Sequence, residues 1–400
     1  MDKIPVYELN KKDYGLILQN FNLDKCTLAV KSVLCNHTPG IVLVDSEVDP
    51  KTVFIWDKCH DFFILGEKGN KEYCENLREK IYGDIFKQAK EKEDLLDFYV
   101  RPFYSNLDTN DKNKKIIDDL FKNNSLMLHK RRHYSLELSE YNIKRPQNID
   151  IDNAKIEFID KLFLTRTQLE NFDEITNWIE DSWISEELFL QEGFGFCLVV
   201  DESIVSWCIS DYRIDVECEI GIETDERYRN KGYATILVTE VVNYCKQKGF
   251  VKIGWHCRDN NIGSYKVAEK VGFKDMNIYY SYHAWFNVFD NFLVNGQYFL
   301  TQTQDYRKAA ECYEKAFEMK NSNDSYFHDS SIFSQDANIK WCYYNTACAW
   351  ALAGEHEDAF SNLEKAVEAG WNDANMLEKD ERLQSLKVDS RWAEMLNVLR

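Results

Sequence analysis

The spacing of apolar positions divides the chain into three stretches. Residues 1–147 carry short β-rich apolar runs at 26–34, 40–45, 52–56 and 62–66, then a charged, helix-like run at 70–92. Pro39-Gly40 and Asp49-Pro50 are turn signals between the runs, since proline fixes one backbone angle where glycine frees another. The polar, non-periodic segment 145–153 predicts a linker. Pro146 is the last proline, so every later element is free of proline breaks.

Residues 154–288 mix both periods. The pattern predicts strands at 155–164, 194–200, 204–211, 216–223, 251–257 and 278–285. Helices are predicted at 168–180, 186–191, 232–248 and 262–271. This order implies an α+β (α/β) domain, a mixed sheet flanked by helices, preceded by a mixed α/β N-terminal lobe. Residues 291–400 change character to helical and alanine-containing. Ala309 and Ala316 recur as Ala359 and Ala366, and Tyr313 as Leu363. Small residues where helices touch and large ones between them are the logic of stacked helical hairpins. The polar stretch 321–336 interrupts the repeat as an insertion.

Composition narrows the class. A length of 400 residues suggests two or three domains. The net charge of −19 argues against nucleic acid and anionic membrane as general partners. It mildly favours a cationic ligand, or it serves only solubility. No run approaches ~18 uninterrupted apolar residues, and the first residues lack the basic-then-apolar layout of a secretory signal. The twelve cysteines show no C-x-x-C pair and no histidine cluster at metal spacing, which suggests reduced thiols in a cytoplasm and no metal.

The strongest chemical signal is Arg229-Asn230-Lys231-Gly232-Tyr233-Ala234, an R-x-x-G-x-A turn between an acidic strand and a helix. A strand-turn-helix junction leaves backbone N–H groups without partners, and with the helix dipole these form an anion site. Arg229 and Lys231 add charge, unless they are ordinary surface residues, and Gly232 allows close approach, unless it is a plain helix-start glycine.

With Asn260-Asn261-Ile262-Gly263-Ser264-Tyr265-Lys266-Val267-Ala268-Glu269-Lys270-Val271-Gly272-Phe273 downstream, the middle stretch resembles the GCN5-related N-acetyltransferase (GNAT) superfamily. Within it, Pro39-Gly40-Ile41-Val42-Leu43-Val44-Asp45, Pro50-Lys51 and Phe62-Phe63-Ile64-Leu65-Gly66-Glu67 resemble a bacterial subgroup that includes the zwittermicin-resistance acetyltransferase. The third stretch resembles tetratricopeptide repeats.

The resemblance implies acetyl-CoA as donor and a primary amine as acceptor, joined by direct attack. Arg229 through Ala234 would wrap the pyrophosphate. The backbone of Gly221, Ile222 and Thr224 would meet the pantetheine arm, and Asn261 and Ser264 would contact the coenzyme, although Asn261 also suits a helix N-cap. Deprotonating a lysine-like amine at pH 7 costs about 4–5 kcal/mol, so a base is expected. Glu219 is preferred and Glu217 is next; the alternative is a solvated acidic face or a hold on a cationic substrate. The superfamily's acidic tyrosine position is Ala268 here, which leaves Tyr265, one turn earlier, as the candidate acid, or as packing; Ser264 is a second. His256 reads as a packed or surface residue sooner than as a base, and nothing nearby activates Cys257. The aromatic run 279–286 suits an acceptor pocket or strand core. The N-terminal lobe carries no second R-x-x-G-x-G/A turn, so only one coenzyme site is expected. A non-enzymatic alternative is an inactive coenzyme-binding or adaptor protein acting through residues 291–400, which also suit protein contacts or self-association.

Overall fold

The computed structural model describes residues 5–23, 26–66, 71–92, 95–103, 111–143, 154–320 and 336–400. Among these the strands are β1 (Tyr7–Glu8), β2 (Ile41–Val44), β3 (Thr52–Trp56), β4 (Asp61–Gly66), β5 (Asp97–Phe103), β6 (Met127–Glu137), β7 (Ala154–Phe158), β8 (Gly195–Val200), β9 (Ser203–Ile214), β10 (Glu217–Thr224), β11 (Lys252–Arg258) and β12 (Lys274–Trp285). They form one mixed sheet in the order β1-β2-β3-β4-β5-β12-β6-β11-β10-β9-β8-β7. The mixed α/β class expected from the pattern is the one observed.

Strand β6, from the first stretch of sequence, lies between β11 and β12 of the second. It pairs antiparallel with β11, with His133 opposite His256. The first two stretches therefore share one sheet. Strands β2 and β3 read as unbroken apolar runs because every residue in them is buried.

Two irregularities shape the middle of the sheet. Strands β9 and β10 pair antiparallel with a shift between Glu219 and Ile220, so Asp211 is the extra residue of a bulge on β9. Strands β10 and β11 pair in parallel only from Glu217↔Lys252 to Glu219↔Gly254. Both run on past that point, to Thr224 and Arg258, without a shared ladder. The helix Tyr233–Gln247 covers one face, with Leu237, Val238, Val241 and Val242 packed among Cys218, Ile220, Ile253 and Trp255.

Several expectations shift. The run 26–34, read as β-rich, contains the helix Leu28–Leu34. Six of its seven residues are buried, and a short apolar run buried nearly all round carries no period to distinguish helix from strand. The strand expected at 155–164 stops at Phe158; Asp160 Oδ1 then accepts from Phe163 N at 2.8 Å and starts a turn. Strands β5 and β6 and the helix Asp111–Leu120 lie outside the elements that the apolar pattern predicts. The helix 262–271 falls where the pattern put it. The linker 145–153 lies outside the described residues, as does the insertion 321–336 apart from Asp336, which begins a helix.

By compactness the chain forms two units, residues 1–77, 99–117 and 128–283, and residues 78–98, 118–127 and 284–400. The second unit is built on the helices Val288–Tyr298, Tyr306–Lys320, Asp336–Ala353 and His356–Glu368. Ala309, Ala316, Ala359 and Ala366 are fully buried in its core, with Tyr313 and Leu363 between them. Gly296 meets the Tyr313 ring so closely that a Cβ there would lie 2.9 Å from it. Among the described residues no helix is long and apolar enough to cross a membrane. Among the described residues no disulfide joins the cysteines.

Candidate active site

The R-x-x-G-x-A turn is built by two left-handed residues, Asn230 (φ 64°) and Gly232 (φ 86°). Gly232 is the helix N-cap and brings no side-chain hydrogen bond. The first intrahelical bond runs from Ile236 N to Gly232 O at 3.2 Å. The N–H groups of Gly232, Tyr233, Ala234 and Thr235 thus precede it and lack helical acceptors. A Cβ at Gly232 would meet nothing within 4 Å, so the turn has room for an anion. Arg229 is not idle there: its guanidinium bonds Glu223 and Glu226, each at 3.0 Å, and Nε donates to Thr224 O at 3.0 Å. Its charge is largely balanced by those carboxylates. Lys231 lies over the Tyr228 ring, 4.6 Å from the centroid.

A cavity of about 900 Å³ is walled by the paired residues of β10 and β11 and reaches His256, just past the end of their ladder. Glu217, Glu219, Lys252, Gly254 and His256 line it from those strands, His133 from β6, and Asn277, Tyr279 and Tyr280 from β12. Residues of the N-terminal lobe close it, among them Leu28, Lys31, Lys51 and Arg101. The lining carries four Lys or Arg side chains against Asp49, Glu217 and Glu219. It is of mixed charge, not simply acidic.

Glu219 is the best-anchored carboxylate in this wall. It is 7 % exposed. Its Oε1 accepts from Leu28 N at 2.8 Å and meets His256 Nε2 at 3.3 Å. Burial works to raise its pKa, but the His256 ring, the hydrogen bonds from that ring and from Leu28 N–H, and His133 outweigh it and hold the carboxyl below its usual value. His256 Nδ1 lies 3.1 Å from the Tyr279 hydroxyl, which Arg131 Nε also reaches at 3.0 Å. His133 stacks on His256, with centroids 4.4 Å apart and planes 4° from parallel. Burial, followed by the neighbouring His256, lowers the His133 pKa to about 4. Stacking follows from register, since the two histidines are directly opposed across β6 and β11.

The other expected residues are distributed more widely. Glu217 lines the cavity, whereas Glu223 on the same strand is bonded to Arg229. Ile222 and Thr224 lie on the length of β10 that still pairs with β9 but has parted from β11. At Gly221 a Cβ would fall 2.1 Å from Trp178 Cζ2, so only glycine fits beneath that indole. Asn261 caps its helix, its Oδ1 accepting from Ser264 N at 3.1 Å. Ser264 Oγ accepts from Trp255 Nε1 at 3.0 Å. Tyr265 packs beneath the Arg132 guanidinium, 5.1 Å from its ring centroid, and Ala268 is fully buried. Cys257 is buried, and that burial raises its pKa. Sequence reasoning missed His133, Tyr279 as a single group, and the backbone of Leu28. It also missed the tie between His256 and Glu219, although alternation along 252–258 puts Lys252, Gly254 and His256 on one face.

These features have counterparts among known proteins. A family model described as GNAT acetyltransferase matches residues 19–282, which takes in the N-terminal strands as well as the turn. An uncharacterised N-acetyltransferase, YdfB of Bacillus subtilis (strain 168), is 26% identical over 277 residues, 69% of this chain and 98% of that protein. A GCN5-related N-acetyltransferase-like protein from Streptococcus suis 89/1591 shares the fold at a TM-score of 0.51 and 18% identity, over 68% of this chain and 98% of that one. The family match spans the whole sheet from β2 to β11 and most of β12, and the chain belongs to the GNAT acetyltransferase family.

Proposed function

We propose that this protein transfers an acetyl group from acetyl-CoA to a primary amine by direct attack, with Glu219 assisting at the amine end. One observation carries the reading: Glu219, the last residue of the β10–β11 ladder, is buried and anchored in the wall of the cavity. The edge of β10 that β11 leaves open around Ile222 and Thr224 would run beside an extended pantetheine arm. Residues Arg229 through Ala234 would hold the pyrophosphate, mainly through backbone N–H groups, because Arg229 is already engaged with Glu223 and Glu226. Asn261 and Ser264 would add contacts. Developing charge on the acyl oxygen would be met by backbone N–H groups of β10 near Gly221.

The cavity volume suits a small-molecule acceptor or a single amine-bearing side chain. The likeness of the N-terminal residues to the zwittermicin-resistance subgroup places aminated antibiotics among the acceptors to test. The helices of the second unit, tetratricopeptide-like in their alanine pattern, suit a protein partner or self-association.

The test is calorimetry with acetyl-CoA, followed by thiol release over a panel of polyamines, amino sugars, aminated antibiotics and lysine peptides. Binding with turnover of at least one amine is expected. Binding without any turnover would favour an inactive coenzyme-binding protein, and no binding would favour an adaptor.

A further inference from the structure

Three hydrogen bonds around Tyr279 and His256 fix which atom holds which proton. Arg131 Nε can only donate, so the Tyr279 oxygen accepts from it at 3.0 Å. The Glu219 carboxylate can only accept while ionised, so His256 Nε2 donates to it at 3.3 Å. A neutral His256 then has a bare Nδ1, and the Tyr279 hydroxyl, 3.1 Å away, is the group placed to donate to it. If His256 is instead protonated, Nδ1 donates to Tyr279 and the Tyr279 hydrogen swings free. The network therefore has two complete states that differ by one proton, and both leave Glu219 with the same partner. Tyr279 and Glu219 both line the cavity. Both of the hydrogen bonds to Glu219 fall on Oε1.

We propose that Tyr279 and His256 are the proton path of this site: Tyr279 takes a proton from the acceptor amine as its own hydroxyl hydrogen passes to His256 Nδ1. Tyr279 is the catalytic residue, and His256 and Glu219 are positioning residues behind it. The inference rests on the acetyltransferase reading. The atoms balance as follows. An ammonium acceptor loses one proton through Tyr279 to His256. The free amine forms a C–N bond to the acyl carbon. As the C–S bond breaks, the nitrogen's second proton ends on the departing sulfur, giving a thiol. His256 returns its proton to solvent before the next turnover. Glu219 holds the resulting imidazolium through Nε2–H, in the way a buried carboxylate steadies a charged histidine elsewhere.

Charged and titratable groups face His256 from several elements. Glu219 faces it from β10, and Tyr279 from β12 with Arg131 behind it. His133 stacks on it from β6. Lys252 and Arg258 flank it along β11, and Lys31 lines the same cavity from the helix Leu28–Leu34. Arg258 is held by the Tyr99 hydroxyl.

The experiment compares the full-length protein with Tyr279→Phe and His256→Gln, in steady-state thiol release from pH 6 to 10 with an amine that the parent acetylates. Each variant should lower kcat by about 10²-fold at pH 7, within the usual range for a lost general base, while leaving the KM for acetyl-CoA unchanged. The defect should shrink as the pH approaches the pKa of the amine, because the amine then arrives without its extra proton. A defect that stays constant with pH, or none at all, overturns the relay while leaving the acetyltransferase intact. A parent that acetylates no amine removes the acetyltransferase reading and the relay together. A second measurement is independent of the acceptor. Histidine ¹⁵N spectra should show neutral His256 with its hydrogen on Nε2, and an Nδ1–H tautomer overturns the relay even if a variant fails to fold.

Discussion

The turn at 229–234 and the cluster at Glu219, the two parts of the proposed site, are built by opposite means. The turn is local: six consecutive residues set two left-handed backbone positions and an uncapped helix end, and its arginine is satisfied by neighbours within six residues. The cluster is assembled from distant segments. Its carboxylate comes from β10, its imidazoles from β11 and β6, its phenol from β12, and its backbone donor from Leu28, 191 residues from Glu219 in sequence. Backbone recognition of a donor common to a whole family tolerates side-chain change.

Removing the carboxylate should break the cluster and spare the turn. Glu219→Ala deprives the buried Leu28 N–H of its acceptor and His256 of its partner. The expected result is a kcat loss of ~10²–10⁴-fold and a stability loss of about 1–3 kcal/mol for the orphaned donor, read by thiol release and urea melts. Glu219→Gln retains an acceptor for Leu28 N–H, so it should keep most of the stability and still lose kcat, with acetyl-CoA affinity nearly unchanged by calorimetry. Parent-rate activity in Glu219→Gln would remove Glu219 from the chemistry altogether.

Between the two ends lies Gly221. Its missing Cβ makes room for Trp178, whose indole is fixed by a 2.7 Å bond to Asp211, the bulge residue of β9. Gly221→Ala should cost about 1–3 kcal/mol through overpacking. Adding Trp178→Phe should recover part of that, since it removes the clashing ring. If thermal melts show no loss for the single variant, the bulge is softer than its contacts imply, and the separation between a flexible turn and a fixed cluster weakens.

At the donor end the effects should be smaller. Arg229→Ala leaves Glu223 and Glu226 uncompensated beside the expected phosphate position. Acetyl-CoA affinity should fall by roughly 3- to 10-fold, the modest scale of exposed ion pairs and helix-end charges. Adding Glu223→Gln should restore part of the loss if Arg229 acts by neutralising its neighbours. If the second change restores nothing, Arg229 meets the ligand directly. Calorimetry separates the two outcomes.

The same contrast governs what could be read from the sequence. The turn, the acidic strand and the helix 262–271 were visible because each is encoded within about a dozen neighbouring residues, and so were the interleaved alanines of the second unit. Ala268, expected at the family's tyrosine position, is completely buried. What stayed hidden depends on adjacency across the sheet. The first seven residues of strand β6 include the polar run His129 through His133, and none of the seven is fully buried, so no apolar alternation marks it. Without β6 between β11 and β12, neither the stack of His133 on His256 nor the reach of Arg131 to Tyr279 could be inferred. The helix Leu28–Leu34 was misread as β-rich because burial on nearly all sides erased its period, and with it went the N–H that anchors Glu219.

The smallest expected effect tests the cluster as a folded object, apart from any chemistry. His133 is held neutral, with its pKa lowered to about 4 by burial and by the adjacent His256, against an ordinary value near ~6.5 in the unfolded chain. Between those two values the unfolded state binds more protons than the folded state, so this residue makes stability rise with pH across the window. Above about pH 6.5 it contributes no slope, because both states are neutral there. His133→Gln removes the titrating group while keeping a polar side chain for Asn277, whose Oδ1 lies 3.1 Å from His133 Nδ1. The urea midpoints of parent and variant should therefore run parallel above pH 7 and diverge below it, the parent falling faster as the pH drops toward 4. Buried Asp211, whose pKa burial raises to about 7, contributes the opposite slope over an overlapping window, losing stability as pH rises. It is present in both proteins, so the difference between the two curves isolates His133. Curves that stay parallel down to pH 4 would mean that His133 is not desolvated against His256, and the acceptor end would then be as loosely built as the turn.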